Sequence, residues 1–271
     1  MSDRQTGQAA ARLVSLTGRD AAGRPLFLVH AVGGTVNAYG ALAKELAGTC
    51  AVTGIEAFGI SEGEPVAGLA QMVERYVAAV RGAQPEGPYR IAGWSMGGIV
   101  AFEMTRELER RGVGVEFVAL MDSPFDRPWG EPEGAGEVGT PALRVAFAED
   151  VAGSLGWDMP QDADGDPLGW LAVAVAGDPH SKYLPLVRED LERRFAVFCA
   201  HARAVRHYRP SGPVDAELRL LFPDGSMFPE DSARWAALSR TGARRTVVKG
   251  DHHSFLKAPV VSEVARFLGD A

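Results

Sequence analysis

The string Tyr89-Arg-Ile-Ala-Gly93-Trp94-Ser95-Met96-Gly97-Gly98 sets a serine in Gly-x-Ser-x-Gly, directly after a strand-like run and directly before a helical one. That context is the one a nucleophile elbow requires, a sharp turn that exposes the hydroxyl. Gly93 and Gly97 remove the Cβ atoms that would clash in such a turn. The Met96 N–H, at the start of a helix, points toward an anion forming beside Ser95. A serine hydroxyl is a weak nucleophile until a base takes its proton. The histidine is expected after the last strand, where Lys249-Gly-Asp-His252-His253-Ser254 stands. His30 precedes the serine, and His180, His201 and His207 lie between strands. Adjacent residues in a turn point different ways, so only one of His252 and His253 can face Ser95. For the acid, Asp122 ends the run Val115–Met121 and Asp224 follows Leu218–Phe222. Asp251 is a poor third candidate, adjacent to the histidine it would have to orient. The pattern leaves both choices open.

A second oxyanion donor is expected from the loop after the first central strand, His30-Ala-Val32-Gly33-Gly34-Thr35. That glycine-rich loop carries neither Gly-x-Gly-x-x-Gly nor Gly-Lys-Ser/Thr, which argues against nucleotide binding.

These residues need a scaffold, and the texture of the chain supplies one. Short apolar runs at Leu26–Val29, Ala51–Ile55, Tyr89–Gly93 and Val115–Met121 alternate with helical patterns, the mark of a parallel α/β sheet. Helical spacing runs through Tyr39, Leu42 and Leu46, through Leu69 to Val80, and from Met96 to Arg111. Along the last, Glu103/Arg106 and Glu107/Arg111 are placed to pair. Asp126 to Gly139 is rich in Pro, Gly and Glu, and Thr140-Pro141 reads as a cap and first turn before a stripe of Leu143, Phe147, Val151 and Leu155. Val187, Leu191, Phe195, Phe198, Ala202 and Val205 mark one face of a long helix. Strand texture returns at Leu218–Phe222 and Arg245–Lys249, and a last helix runs through Val264, Phe267 and Leu268. The segment of about 124–213 is too long for a connection and reads as a lid over one domain spanning 1–271.

Composition limits the function classes. The chain has 271 residues, 46% of them hydrophobic, with 28 basic and 35 acidic side chains for a net charge of −7. This is globular rather than disordered, and the acidic balance speaks against non-specific nucleic-acid binding. No apolar run approaches the roughly 20 residues that span a bilayer, and residues 1–20 lack a signal-peptide core, so a cytoplasmic location is expected. The two cysteines make no disulfide framework, and Cys199 reads as a small core residue. No metal site is expected. Asp162-Ala-Asp164-Gly-Asp166 puts Pro167 where an EF-hand needs glycine, and reads as a turn-rich loop.

Four motifs in order, Leu26-Phe-Leu-Val-His-Ala-Val-Gly-Gly34, Tyr89 to Gly98, Leu120-Met-Asp-Ser123 and Gly250-Asp-His-His-Ser254, resemble the thioesterase domains of nonribosomal peptide and polyketide synthases. The resemblance runs from about Arg12 to Phe267. It implies the α/β-hydrolase fold, a mostly parallel central sheet with helices on both faces and a helical lid insertion. By position it implies Ser95 as nucleophile, Asp122 rather than Asp224 as acid, and His252 as base, with His253 where an aromatic residue is usual. Val32 and Met96 would give the oxyanion N–H groups. The implied substrate is an acyl, peptidyl or polyketide chain on the phosphopantetheine arm of an acyl or peptidyl carrier protein, released by hydrolysis or macrocyclisation. The protein would need no cofactor or metal of its own.

The Gly-Trp-Ser-Met-Gly-Gly form and the Asp122 position are more similar to the product-releasing kind than to the editing, type II kind. A chain without a carrier segment reads as free-standing. A general carboxylesterase and a non-enzymatic binding module are the other readings. Arg188, Arg193, Arg194, Arg203, Arg206 and Arg209 form a basic stretch that would suit an acidic carrier protein.

Overall fold

A computed structural model describes residues 11–18, 23–126 and 141–269, the side chains of Asp162 and Asp164 excepted. Seven strands form one sheet: β1 (Arg12–Ser15), β2 (Leu26–Val29), β3 (Val52–Glu56), β4 (Tyr89–Trp94), β5 (Val115–Met121), β6 (Glu217–Gly225) and β7 (Ala243–Asp251). Their order is β1-β3-β2-β4-β5-β6-β7. β1 runs antiparallel to β3, and every other pair is parallel. The helices are α1 (Gly40–Leu46), α2 (Leu69–Ala83), α3 (Met96–Arg110), α4 (Pro141–Leu155), α5 (Pro167–Ala176), α6 (Leu184–Val205), α7 (Asp231–Ala236) and α8 (Val261–Gly269).

The central strands β2, β4 and β5 are apolar apart from the paired Arg90 and Glu116, because both faces are covered, as parallel sheets require. Alternate side chains divide between two cores. Phe27, Val29, Ile91, Val118 and Leu120 pack with α2 and α3. Leu26, Leu28, Ala92, Ala119 and Met121 pack with α1 and α8 on the opposite face. Helices on both faces of a mostly parallel sheet are the architecture expected from the sequence.

The strand order also locates the site. After β2 the chain goes to β3 on one side, and later returns to β4 on the other. The loops leaving β2 and β4 therefore diverge at the carboxyl end of the sheet, the switch point where α/β sheets bind ligands. Val29 pairs with Gly93, so loop 30–36 and Ser95 leave the sheet side by side. Trp94 pairs with Met121, which brings Asp122 to the same edge.

Among the described residues, three helices, α4 to α6, lie between β5 and β6. The buried stripe Leu191, Phe195, Phe198, Ala202 and Val205 on α6 belongs to the core, and Phe147 of α4 packs against both phenylalanines. Three elements have no counterpart in the sequence reading. β1 is a four-residue edge strand, and α7 spans only six residues. Pro167–Ala176 is apolar on all sides, so no stripe marks it as α5. Its cap is Asp166, which accepts from Gly169 N at 3.0 Å and is the end of the aspartate-rich string. Residues 127–139 and the Thr140 cap lie outside the described residues, as does the start of the chain through residue 10. Among the described residues, no helix is long and apolar enough to cross a membrane, and no group of His, Cys, Asp and Glu is arranged to hold a metal. Cys50 and Cys199 are buried thiols.

Candidate active site

Ser95 sits at φ 57° and ψ −129°, a conformation L-residues rarely adopt. Strain of this kind costs on the order of 1–3 kcal/mol and persists only where surroundings enforce it. Here they do. A Cβ on Gly93 would fall on the Gly97 carbonyl, and one on Gly97 would approach the Val29 and His30 carbonyl oxygens at 2.5 and 2.6 Å. A Cβ on Gly98 would collide with the Ser123 hydroxyl. The elbow is thus wedged between β2, β5 and its own helix, and all three glycines are needed for that fit. Ser95 N donates to Met121 O at 2.9 Å, tying the elbow to the end of β5. The Ser95 hydroxyl is buried with no hydrogen-bond partner among the described residues.

Asp122 is also strained, at φ 44°, and fully buried. Its Oδ2 accepts from His252 Nδ1 at 2.6 Å. This bond puts the imidazole proton on Nδ1 and leaves Nε2 with the lone pair a base needs. Asp122 Oδ1 accepts from the Ser226 hydroxyl, whose oxygen in turn accepts from Phe228 N at 2.9 Å. Ser226 was not foreseen in the sequence and holds the second carboxylate oxygen. His252 is buried against Trp94, ring centroids 5.1 Å apart, and against Phe228 at 5.6 Å.

The other candidates point elsewhere. Asp224 is exposed, its carboxylate accepting from Lys249 Nζ at 2.6 Å and Gly250 N at 3.0 Å. That lysine holds its carboxyl below the usual range. Asp251 accepts from His253 N and Ser254 N and so builds the turn. His253 stands edge-on to both Trp94 and His252. Burial lowers its imidazole to about 4. A Cβ on Gly153 of α4 would meet its ring at 2.9 Å, so α4 closes over the loop of His252 and His253 there. Lys257 Nζ donates to the Gly153 carbonyl at 3.2 Å and fastens that closure.

Val32 N–H, in the loop after β2, donates to no group among the described residues, and Met96 N–H opens α3. Met96 follows Ser95 directly, and the Val32 loop leaves the sheet beside that elbow. The loop is held from above. His201 of α6 donates from Nδ1 to Val32 O at 2.7 Å. His30 Nδ1 donates to Ala31 O at 2.7 Å, and its Nε2 accepts from the Tyr76 hydroxyl at 2.6 Å. The two imidazoles stack with centroids 4.7 Å apart and planes 14° apart. Both are fully buried, and burial drives both toward the neutral form, His201 to about 4.

A stability test follows. An unfolded histidine takes its proton near pH 6.5, whereas folded His201 does so only near 4. Between those values the unfolded chain binds more protons, so stability falls as pH drops. His201 alone accounts for a loss of about 3 kcal/mol between pH 7 and pH 4. Urea unfolding at both pH values should show a smaller loss in His201→Asn by roughly that amount; equal losses would contradict the assignment.

Half of the basic stretch, which runs along α6 and just past its end, is paired with acidic side chains. Arg188 pairs with Asp166 at 3.1 Å, Arg193 with Asp190, and Arg209 with Asp126 at 3.8 Å. Acidic side chains one turn away or on the next segment consume half of that charge. Glu103–Arg106 and Glu107–Arg111 pair as read from their spacing.

Comparison with known proteins agrees with this geometry. Residues 24–137 match the family model described as Thioesterase domain. Over 104 residues the chain is 38% identical to polyketide synthase PksR of Bacillus subtilis, covering 38% of this chain and 4% of that protein. A 272-residue alignment with nonribosomal peptide synthetase btyA of Aspergillus terreus is 27% identical, covering 91% of this chain and 28% of that one. The chain thus spans a small part of these curated relatives. Among solved structures, the four-domain nonribosomal peptide synthetase AB3403 superposes with a TM-score of 0.79 at 26% identity, over 94% of this chain and 20% of that one. The Vlm2 thioesterase domain superposes with a TM-score of 0.69 at 25% identity, over 96% of this chain and 97% of that one. The resemblance seen in the four motifs holds, and the fold is the α/β-hydrolase fold.

Proposed function

From this kinship with the thioesterase domains of nonribosomal peptide and polyketide synthases, we propose that the chain is a serine thioesterase acting on carrier-bound chains. It takes an acyl, peptidyl or polyketide chain from the phosphopantetheine arm of a carrier protein. The observation that carries the proposal is the 2.6 Å bond from His252 to Asp122 beside a serine held on a strained elbow. Fold likeness alone would not support an activity, since one fold hosts many.

In the proposed reaction Ser95 Oγ attacks the thioester carbonyl carbon while His252 Nε2 takes its proton. Asp122 holds the imidazole in the tautomer that can do this and stabilises the charge it gains. The oxyanion rests against the Val32 and Met96 N–H groups, an arrangement whose single donors are worth roughly 10²–10³ in rate. The C–S bond then breaks, and His252 returns the proton to the leaving pantetheine thiol. Water, or a hydroxyl or amine of the chain itself, attacks the acyl-serine through the same base. The first route gives a free acid, the second a macrocycle. The protein supplies all of this without a metal or cofactor of its own. We read 124–213 as the lid of a single domain, with α4 and α6 forming the roof over the elbow.

Intact-protein mass spectrometry with acyl-pantetheine thioesters tests the reading. Wild type should gain the mass of the acyl group, and a carrier-bound thioester should be processed at least tenfold faster than the matched oxygen ester. A preference for the oxygen ester would mark a carboxylesterase instead. Turnover confined to short, aberrant acyl groups would mark the editing kind.

A further inference from the structure

Helix α4 crosses the roof with one face toward the elbow. On that face Phe147 enters the core, and Gly153 meets His253. Between them, one turn from each, is Asp150. A Cβ on Gly33, the residue after Val32, would lie 3.1 Å from Asp150 Oδ2, so this carboxylate stands against the oxyanion loop. It also lies close enough to His252 for the two charges to act on each other.

Asp150 is half-buried, yet it has no hydrogen bond or ion pair among the described residues. Arg194 is on the inward face of α6, one turn before Val197, which packs on Gly34 and Gly59. Its charge reaches Asp150 but its guanidinium makes no ion pair with it. Burial pushes the Asp150 carboxyl up to about 6. An unpaired carboxylate in a half-buried place is costly, and such groups in a cleft are retained where a ligand completes them.

We infer that Asp150 is a specificity residue that receives a protonated amino group of the acyl chain, beside the reacting carbonyl. A carboxylate accepting from an ammonium makes a charge-assisted bond, about twice as strong as a neutral one. The placement against Gly33 and near His252 limits the reach. The amino group is close to the carbonyl, as in an aminoacyl or peptidyl chain with a free or side-chain amine near its carboxyl end. This inference rests on the thioesterase reading and names its substrate class.

The experiment uses matched thioesters of N-acetylcysteamine that differ only in an amino group at the α, β or γ carbon. Wild type should prefer the amino member of at least one pair by tenfold or more in kcat/KM. Asp150→Asn, nearly isosteric, should bring that ratio to within twofold by slowing the amino substrate alone. Asp150→Ser should do the same, and thermal melts of both should show the fold kept. Equal slowing of both members, or no wild-type preference in any pair, overturns the inference while leaving the thioesterase reading intact. Absence of acyl-enzyme with every substrate overturns that reading and this one together.

Discussion

Ser95→Ala shows no acyl-enzyme mass after incubation with an acyl-pantetheine thioester, and turnover falls by on the order of 10⁶. The size follows from the division of labour in such sites. Without the nucleophile the remaining groups work only through binding and oxyanion stabilisation, worth 10³–10⁴ over water. The fold should not suffer. The hydroxyl is buried and has no partner among the described residues, so removing it breaks no bond. A buried polar group without a partner is itself destabilising, and the alanine variant should gain about 1 kcal/mol in urea unfolding. Activity lost with stability gained is the signature of a functional group kept against the interest of the fold. A variant that still forms acyl-enzyme would remove Ser95 from the mechanism, and one less stable than wild type would overturn the predicted gain.

Asp122→Asn is the second large effect, a fall of about 10⁴ in kcat. Ser226 donates to one carboxylate oxygen, so an asparagine would keep its carbonyl there and turn its NH₂ toward His252. Nδ1 must then accept, its proton moves to Nε2, and the imidazole loses the lone pair that the proposed mechanism offers to the serine. Asp224→Asn makes the contrast. That side chain is exposed and bonded to Lys249 and the Gly250 N–H, and solvent screening leaves an exposed pair of this kind with little effect. Its kcat should stay within twofold of wild type. Loss of acylation in Asp224→Asn alone would reverse the assignment of the acid.

What the sequence disclosed of this site was what lies close together in it. The elbow is ten contiguous residues, and Gly93 and Gly97 were legible from its pattern, whereas the demand on Gly98 comes from Ser123 on a distant segment. The strands were legible because a sheet covered on both faces imposes continuous apolar runs. The choice between Asp122 and Asp224 was not, for both follow strands and both end at the same edge of the sheet. It depends on backbone twist, the left-handed φ that turns Asp122 inward, and no residue type signals that. Ser226, His201 and Asp150 were illegible for a different reason. Each matters through a contact with a distant segment, Asp122, Val32 and Gly33 respectively. α5 was missed because a helix apolar on every side has no period to detect.

The bond from His201 to the Val32 carbonyl joins the roof of this site to its floor. Helix α6 cannot lift without breaking that bond and unstacking two neutral imidazoles, and the Val32 peptide would then be free to turn. On the thioesterase reading, loading and reacting would then be exclusive states of one part: a roof raised to admit a bulky chain would also disarm the anion site proposed beneath it. The same joint would discourage premature attack on a half-seated chain and would ready the site once it closes.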